Sequence, residues 1–302
     1  MKPSSIARAV ELLRAGRLVV FPTETVYGLG ANALDEAAVR KIFEAKRRPH
    51  SSPLIVHVAS IEMARGLARE WPEKAEILAR RFWPGPLTIV VPKNANVPDV
   101  VTAGLPSVGL RMPAHPVARA LLEAAGIPVA APSANRFTEL SPTRAEDVPK
   151  DLADMILDGG QCAVGIESTV VSLVVLNNDS PPRILRPGMI SQTQIEEAIG
   201  PVEVAGGAES PGQHPRHYSP KTPVVLDAVP RAGRGVRLDF NLMPVDPAEY
   251  AERLYSILHD LDREGYDWIA VEMPPDTLEW AGIRDRLTRA AHREQADTPL
   301  VS

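Results

Sequence analysis

Two neighbouring stretches decide the fold: Phe21-Pro-Thr-Glu-Thr-Val-Tyr-Gly-Leu-Gly-Ala-Asn-Ala33 and Lys46-Arg-Arg-Pro-His-Ser-Ser-Pro-Leu-Ile-Val-His57. The first runs from a short apolar strand into small, hydroxylated and glycine-rich residues. A helix then leads to the three cations of the second stretch, and another apolar strand follows them. Hydroxyl groups, exposed backbone amides and fixed cations brought together in this way suit a polyanionic ligand such as a nucleotide.

Composition narrows the class of protein. The 302 residues suffice for one large or two smaller domains, and 44% hydrophobic with 24% charged residues is ordinary for a soluble enzyme. There is no bilayer-spanning run, no signal segment and one cysteine, Cys162, which excludes an internal disulfide and a multi-cysteine zinc site. We therefore expect a cytoplasmic protein without a membrane partner. The net charge of −5 argues against bulk attraction to nucleic acid, while a local basic face would still permit RNA contact.

Strand-like runs alternate with helical patterns to about residue 200, which predicts an α/β fold. Asp35 is predicted to cap the helix that ends near Lys46, and Ser191 with Gln194 forms a capping-box pattern for a short helix closing on Gly200. The predicted strands cover residues 18–21, 54–58, 87–91, 108–111, 129–131, 155–157, 169–175 and 183–186.

The pattern changes after residue 200. Residues 201–221 have no apolar periodicity and are predicted to form a linker. Residues 222–302 then form a second, small α/β domain, which is near the lower limit for folding alone and is expected to lean on the first. Its predicted elements are strands at residues 224–226 and 268–271, a helix from Asp246 to Gly265 and a helix around residues 280–291.

The cations Lys46, Arg47 and Arg48 lie at the predicted C-terminal end of a helix. Cations there often only complement the helix dipole and extend into water. Their neighbourhood favours function, because the turn leads through Ser52 into a buried strand that ends at His57. A strand histidine, however, is more often a hydrogen-bonded core residue than a ligand.

Other candidates also have structural interpretations. Ser133 and Asn135 follow an apolar strand but suit a turn, and Ser141 is equally able to cap a helix. Arg111 ends a strand, where a guanidinium group usually has an anionic partner. The sequence contains no Ser-His-Asp order, His-Glu-x-x-His motif or Walker loop. Taken singly, the residues indicate an anion-binding α/β protein.

Residues 6–200 resemble the YrdC-type threonylcarbamoyl-AMP synthases along nearly their whole length. Beyond the two opening stretches, the matching blocks are Phe82-Trp-Pro-Gly-Pro-Leu-Thr88, Val101-Thr-Ala-Gly-Leu105, Arg111-Met-Pro113, Ala131-Pro-Ser-Ala-Asn135, Ser141-Pro-Thr143, Leu157-Asp-Gly-Gly160, Gly165-Ile-Glu-Ser-Thr169 and Ile184-Leu-Arg-Pro-Gly188. Ser210-Pro-Gly212 and Arg216-His-Tyr-Ser-Pro220 resemble the linker of the longer, two-domain form.

The resemblance implies a fold and an activity. The fold is a YrdC-like twisted mixed sheet with flanking helices over residues 1–200, a linker or lid over 201–221, and a small Rossmann-like domain over 222–302. The activity is synthesis of L-threonylcarbamoyl-AMP from L-threonine, bicarbonate or CO₂, and ATP with Mg²⁺, releasing pyrophosphate. This is the first step of tRNA threonylcarbamoyladenosine modification, which implies tRNA and a downstream transferase complex as partners.

The resemblance also assigns roles to residues. Catalysis is expected of Lys46, Arg48, Ser133 and Asn135. Threonine is expected to contact Thr25, His57, Arg111, Ala131, Ser168 and Thr169. ATP is expected to contact Lys46, Arg48, Ser52, Ser107, Ser133, Ser141, Arg186 and Tyr218. No protein side chain is expected to ligate the metal, since Mg²⁺ is held mainly through ATP.

This sequence departs from the family pattern at several positions. Arg47 replaces the usual glycine, Ser52 replaces asparagine, and Thr138 stands where glycine is common. In the linker, Gln213 and His214 replace a Met-Lys pair. Tyr218, an aromatic residue with basic neighbours in a nonperiodic segment, gives the hypothesis that the linker closes over the nucleotide as a lid.

Two alternatives remain at this point. One is a YrdC-like carbamoyltransferase, although such proteins are larger chains and the hydrogenase-maturation type carries zinc-binding Cys-x-x-Cys motifs. The other is a non-catalytic module that binds double-stranded RNA. The single cysteine argues against the first, and the net charge of −5 argues against the second.

Overall fold

The computed structural model describes residues 3–174, 180–205, 217–228 and 232–292. The motif at residues 210–212, the departures at Gln213 and His214, and Arg216 lie outside these residues. In chain order the elements are α1 (Pro3–Arg14), β1 (Val19–Pro22), β2 (Tyr27–Asn32), α2 (Glu36–Lys46), β3 (Ile55–His57), α3 (Ile61–Leu67), α4 (Glu73–Phe82), β4 (Leu87–Pro92), α5 (Asp99–Thr102), β5 (Ser107–Arg111), α6 (Pro116–Ala125), β6 (Val129–Ala130), β7 (Met155–Ile156), β8 (Thr169–Ser172), β9 (Arg183–Arg186), α7 (Gln192–Ile199), β10 (Glu203–Val204), β11 (Val224–Leu226), β12 (Gly235–Leu238), α8 (Pro247–Arg263), β13 (Trp268–Val271) and α9 (Ala281–Ala291).

The first domain is built on one mixed sheet of ten strands, in the order β10-β9-β8-β4-β5-β3-β6-β2-β1-β7. β4 is parallel to β8 and antiparallel to β5, and β3 is parallel to β5. This confirms the prediction of a mixed sheet with flanking helices. Asp35 accepts a hydrogen bond from Ala38 N as the cap of α2, and Ser191 and Gln194 form the complete capping box of α7.

Three details of the first sheet differ from the prediction. The strand predicted over residues 169–175 ends at Ser172, where pairing with β9 begins at Arg183, and residue 175 lies outside the described residues. Within the predicted linker, residues 203–204 add β10 to the sheet edge beside β9. The glycine-rich stretch contains a strand that was not predicted, β2, in which Gly28 lies opposite Phe21 of β1.

Glycine within β2 permits a close approach to the neighbouring strands. A Cβ at Gly30 would lie 2.8 Å from the Phe21 ring and 2.9 Å from the Val129 side chain. Phe21 and Val129 are both fully buried, so a larger residue would displace the core on both sides. The small residues therefore serve sheet packing here as well as the nearby site.

The second domain has a parallel three-stranded sheet in the order β11-β13-β12, accompanied by α8 and α9. Asp246 caps α8 by accepting from Ala248 N and Glu249 N, and Pro247 occupies its first turn, as predicted. Gly265 follows the helix with φ of 67°. β12 was not predicted. Among the residues that the structure describes, no helix combines the length and the apolar character needed to cross a membrane.

Both helices of the second domain press against loops of the first. At Gly165 a Cβ would lie 2.2 Å from the carbonyl oxygen of Ala251 in α8, and at Gly282 in α9 it would lie 2.9 Å from the Cα of Gly188. Backbone thus meets backbone at two points of the domain junction. The second domain leans directly on the loops that precede β8 and follow β9.

Gly165→Ala is expected to destabilise the protein more than Gly126→Ala. Both glycines have positive φ, 79° and 64°, so a side chain costs about 1–2 kcal/mol at either position. Only at Gly165 does the new Cβ also strike backbone, since nothing lies within 4 Å at Gly126. We expect an additional loss of at least about 2 kcal/mol in the free energy of unfolding for Gly165→Ala. Urea denaturation of both variants measures it, and equal losses would contradict the tight contact with α8.

Candidate active site

A cavity of about 50 Å³ lies beside the β1–β2 turn and the ends of β3, β5 and β9. The parallel pairing of β3 with β5 places His57 directly opposite Arg111. Two residues of the linker, His217 and Tyr218, are also part of the cavity lining. Its lining residues are Thr23, Thr25, Val26, Gly28, Arg48, Leu54, Ile55, His57, Arg111, Ala131, Pro132, Ser133, Glu167, Ser168, Arg186, His217 and Tyr218.

The cations at the end of α2 separate into buried and exposed groups. Lys46 and Arg48 are 1% and 6% exposed, so the interpretation of these two as solvated cations is wrong. Arg47 is exposed and has a left-handed backbone, with φ of 52° and ψ of 41°. A left-handed C-cap is the conformation that favours glycine, which accounts for the usual glycine of the family pattern. Arg47 adopts this conformation with a side chain.

Lys46 holds the loop that follows β6. Its Nζ donates to the carbonyl oxygens of Ser133, at 2.6 Å, and of Asn135, and approaches Asn135 Oδ1 at 3.5 Å. Burial and the neighbouring Arg48 guanidinium lower the pKa of Lys46 well below its ordinary value. Lys46 and Asn135 do not line the cavity, whereas Ser133 does. Lys46 therefore contacts the site through the backbone of the Ser133 loop.

Arg48 reaches the cavity itself. One of its Nη atoms donates to Ser52 Oγ and to the Pro53 carbonyl oxygen at 3.2 Å. Its Nε is buried without a hydrogen-bond partner among the described residues. Burial lowers the pKa of Arg48 to about 10. Ser52 thus orients Arg48 from outside the cavity, and the guanidinium group keeps a donor available for a ligand.

Arg111 has the anionic partner expected of it, and that partner is Glu24. Arg111 Nη2 donates to Glu24 Oε1 at 2.7 Å, and both side chains are buried. Glu24 Oε2 accepts from Ala114 N at 2.9 Å, and Arg111 Nε donates to the Gly85 carbonyl oxygen at 3.3 Å. Sequence reasoning did not single out Glu24, although a carboxylate inside the small-residue stretch was a signal.

Hydroxyl groups of the cavity lining are paired with other hydroxyl groups. Thr23 Oγ1 and Thr25 Oγ1 are 2.9 Å apart, and Ser168 Oγ lies 2.8 Å from Thr88 Oγ1. Arg186 Nη2 donates to Ser168 Oγ at 3.1 Å, and its Nε donates to the Ser168 carbonyl oxygen at 3.1 Å. These contacts fix hydroxyls and a guanidinium group before any ligand arrives.

Besides Lys46 and Ser52, three more of the expected ligand residues lie away from the cavity wall. Thr169 Oγ1 donates to the carbonyl oxygen of Ile190 at 2.8 Å, which ties β8 to the loop after β9. Ser107 begins β5 opposite Pro92, at the end remote from Arg111. Ser141 donates to Glu167 Oε1 at 2.5 Å and stands behind that cavity residue. The ligand roles of all three stay predictions.

His57 is buried in the cavity wall with its ring edge-on to Phe21, at a centroid distance of 5.9 Å. Its Nδ1 has no hydrogen-bond partner among the described residues. Burial, aided by the Arg111 guanidinium, lowers the pKa of His57 to about 3. The imidazole is therefore neutral near pH 7, and His57 is part of the cavity lining.

His217 and Tyr218 close the cavity from the linker. Tyr218 is 1% exposed, and its ring stacks on Tyr255 of α8 at a centroid distance of 5.9 Å. The guanidinium carbon of Arg286 in α9 lies 5.2 Å from the same ring. Burial, together with Arg48 and other cations, lowers the pKa of His217 well below its ordinary value. The linker aromatic thus lies between the two domains.

The structure brings most of the sequence-predicted residues together. Thr25, Arg48, His57, Arg111, Ala131, Ser133, Ser168, Arg186 and Tyr218 share the cavity wall, while Lys46, Ser52, Asn135 and Ser141 bond to that wall or to its loops. Within the described ranges, no group of three or more His, Cys, Asp or Glu side chains is arranged to hold a metal ion. Sequence reasoning missed Thr23, Glu24, Glu167, His217 and Arg286.

Family models match nearly the whole chain. The model of the Sua5–YciO–YrdC family, described as telomere recombination, matches residues 11–188. A model described as the C-terminal domain of threonylcarbamoyl-AMP synthase matches residues 190–292. The two matches meet near residue 189, whereas the sequence pattern placed the domain boundary at residue 200, which stays a prediction.

Individual relatives agree with the family models. The chain is 49% identical to the threonylcarbamoyl-AMP synthase of Pyrococcus abyssi over 234 residues, which covers 74% of this chain and 68% of that protein. It is 42% identical to the threonylcarbamoyl-AMP synthase of Bacillus subtilis over an alignment of 324 positions, which covers 95% of this chain and 92% of that protein.

Solved structures agree as well. The crystal structure of P. abyssi Sua5 complexed with L-threonine matches with a TM-score of 0.89 and 38% identity, covering 96% of this chain and 95% of that one. Full-length HypF in its phosphate- and nucleotide-bound form is 22% identical with a TM-score of 0.53, covering 62% of this chain and 30% of that one. At that identity the likeness to HypF is one of fold alone.

Replacing His57 is expected to flatten the acid side of the stability profile. The folded pKa of about 3 lies below the ordinary value of about 6.5, so the unfolded chain binds more protons between these values. Stability from this group is complete above about pH 6.5 and is lost as the pH falls toward 3. In His57→Gln, the fall in unfolding free energy between about pH 6 and 4 should lessen by up to about 1.4 kcal/mol per pH unit.

Chemical denaturation at a series of pH values gives this slope. His50→Gln removes an exposed imidazole and is the matched control. A slope in His57→Gln equal to that of the parent would contradict a buried, neutral His57.

Proposed function

The chain belongs to the Sua5–YciO–YrdC family of threonylcarbamoyl-AMP synthases, and from this premise we propose how its residues divide the reaction between them. The protein synthesises L-threonylcarbamoyl-AMP, in the first step of tRNA threonylcarbamoyladenosine modification. Three buried guanidinium groups, those of Arg48, Arg111 and Arg186, line one cavity together with hydroxyl groups. The residue assignments rest on this observation.

Threonine is the amino-acid substrate, as the threonine complex of P. abyssi Sua5 supports. We propose that its carboxylate approaches Arg111, because a guanidinium group bonded to Glu24 at one edge is held rigidly for bidentate binding at another. Thr25 and Ser168 supply hydroxyls, and neutral His57 supplies an imidazole, for the amine and the side-chain hydroxyl. Ala131 closes this part of the wall.

The nucleotide is assigned to the other side of the cavity. We propose that ATP enters as its Mg²⁺ complex, with its phosphates between Arg48, Arg186 and Ser133. Glu167 is the cavity carboxylate nearest these groups, but its two oxygens already accept from Ser141, Tyr255 and Arg286. A bound Mg²⁺ would therefore be held mainly by phosphate oxygens, which are the hard ligands that Mg²⁺ prefers.

The reaction needs positioning more than proton transfer. The neutral threonine amine adds to CO₂, derived from bicarbonate, and a proton is released to solvent, which gives a carbamate anion. A carbamate oxygen attacks the α-phosphorus of ATP and forms a new P–O bond. The bond between the α-phosphorus and pyrophosphate breaks, and the leaving pyrophosphate keeps the electron pair. The nucleophile and the leaving group are both anionic. Arginines already fixed by Ser52 and Ser168 neutralise charge without having to reorganise.

We propose that Lys46 acts indirectly. Its ammonium group fixes the carbonyl oxygens of Ser133 and Asn135, and so sets the loop that presents the Ser133 side chain to the cavity. Asn135 Nδ2 donates to the carbonyl oxygens of Arg136 and Glu139, which stiffens the same loop. The paired Lys-x-Arg and Ser-x-Asn motifs then form one support for the nucleotide.

The linker must move during turnover. A cavity of about 50 Å³ is far smaller than the roughly 300–1,000 Å³ of sites that hold small-molecule ligands. His217 and Tyr218 are part of the lining of this small cavity. We propose that this segment opens for ATP and closes over the product, which shields the mixed anhydride from water until a transferase complex uses it on tRNA.

The carbamoyltransferase alternative rests on a likeness of fold. HypF covers 62% of this chain and the chain covers 30% of HypF, whereas the synthase relatives match both domains. The cations that gather at the cavity are buried, so they do not form the exposed basic surface that a module for double-stranded RNA would use.

Pyrophosphate release tests the function directly. Purified protein with ATP and Mg²⁺ should release pyrophosphate only when threonine and bicarbonate are both present. Arg48→Met serves as the blank, because its loss removes a cavity cation and leaves any contaminating ATPase in the preparation unchanged. Release without threonine or bicarbonate would overturn the assignment, and dependence on carbamoyl phosphate would support the carbamoyltransferase instead.

Tyr218→Ala is expected to raise the KM for ATP about tenfold or to increase ATP consumption without product, because an aromatic contact worth roughly 1–3 kcal/mol is lost from the closed site. Tyr218→Phe is the matched control. It keeps the ring stacked on Tyr255 and removes a hydroxyl group that has no partner among the described residues. Steady-state kinetics of both variants decide the matter, and parent-like kinetics for Tyr218→Ala would exclude the lid.

A further inference from the structure

Glu167 is the point where the second domain reaches the nucleotide side of the cavity. It belongs to the loop before β8, and its side chain is 8% exposed. One carboxylate oxygen accepts from Ser141 Oγ at 2.5 Å. The other accepts from Arg286 Nε at 2.8 Å and from the Tyr255 hydroxyl at 3.1 Å. Two of its three side-chain partners therefore come from the second domain.

The guanidinium group of Arg286 donates hydrogen bonds to residues of the first domain and to its own helix. Its side chain is fully buried in α9. Besides the carboxylate, it donates to the Glu167 carbonyl oxygen at 3.2 Å and to the Pro187 carbonyl oxygen at 2.9 Å. Asp285 accepts from it at 2.8 Å on the helix side. A single arginine thus joins the loop before β8 to the loop after β9.

The same two side chains hold the linker aromatic. Tyr255 stacks on the Tyr218 ring with an interplanar angle of 29°, and the Arg286 guanidinium carbon lies 5.2 Å from that ring. A guanidinium group at this distance attracts the face of the ring, and both side chains are buried. Tyr218 in its buried position therefore rests on second-domain side chains.

Ser141 is held from both sides by this arrangement. Its hydroxyl donates to Glu167, and its carbonyl oxygen lies 3.2 Å from Nε2 of His259, another residue of α8. The close backbone contacts of Gly165 with Ala251, and of Gly282 with Gly188, fix both helices against the same loops. The geometry leaves little freedom for Glu167 or Ser141 once the second domain is docked.

We propose that Arg286 and Tyr255 are positioning residues for the nucleotide side of the active site. Acting through Glu167, they orient Ser141, and by packing on Tyr218 they set the closed position of the linker. The second domain is thereby a working part of the ATP site. This inference rests on the proposed assignment of ATP to that side of the cavity.

Arg286→Met alone leaves Glu167 as a buried, unpaired carboxylate and is expected to weaken folding. The informative variant is Arg286→Met with Glu167→Gln, which removes both charges together. Its melting temperature should return close to that of the parent, while the KM for ATP stays raised about tenfold. The KM for threonine should stay within about twofold of the parent value, because Arg111 and Glu24 are untouched.

Two single variants sharpen the comparison. Tyr255→Phe keeps the ring on Tyr218 and removes one hydrogen bond to Glu167, so it should raise the KM for ATP about threefold with Glu167 intact. Arg284→Gln is the matched control in α9. The partners of Arg284 are Pro274 and Asp276, both in the second domain, and its kinetics should equal those of the parent.

The measurements are steady-state pyrophosphate release and calorimetric binding of a non-hydrolysable ATP analogue to the full chain. A double variant with the parent KM for ATP, or with equal increases in both KM values, would overturn the positioning role. If the parent protein released no pyrophosphate, the proposed function would fail on its own. Weaker analogue binding by the double variant would then still support the positioning role.

Discussion

Burial of positive charge around one small cavity is the constraint on which the rest of the structure depends. Lys46, Arg48, Arg186 and Arg286 are each 6% exposed or less. A buried cation is tolerated only when hydrogen-bond acceptors or anions surround it. Much of the architecture near the cavity consists of such acceptors, and most of them are backbone carbonyl oxygens.

The buried cations differ in how many hydrogen-bond acceptors surround them. Cations with a full set of acceptors support the structure, whereas a cation with a donor left over suits ligand binding. Lys46 and Arg286 are well satisfied, by loop carbonyls in the first case and by Glu167 with further oxygens in the second. Arg48 retains a buried Nε without a partner among the described residues. Burial raises the energy of charged Arg48, as its lowered pKa of about 10 records. An anion bonded to this Nε would offset that cost.

Local signals made much of the fold predictable. The caps at Asp35 and Ser191 and the start of a helix at Asp246 depend on residues within three positions, and all three were predicted from the sequence. β2 and β12 were missed because glycines and single polar residues interrupt their apolar pattern. Their pairing energy comes from neighbouring strands, and a local window of sequence does not contain those neighbours.

The site residues also divide into those marked by local sequence and those that depend on distant partners. Motif residues such as Arg48, His57 and Arg111 were singled out because the resemblance marks them. His57 and Arg111 also end predictable strands, and Arg48 follows a predictable helix. Their partners were not found. Glu24 meets Arg111 across 87 positions and Glu167 meets Arg286 across 119 positions, and nothing in the sequence specifies which carboxylate compensates which cation.

The domain junction follows from the same electrostatic constraint. Glu167 faces Arg186 and Arg286, and their charges hold its pKa below the ordinary value although burial alone would raise it. Without the second domain, Glu167 would lose Arg286 and Tyr255, and Tyr218 would lose the ring and the cation that pack on it. Docking of the second domain thus supplies the hydrogen-bond donors and the positive charge with which Glu167 stays buried as a carboxylate.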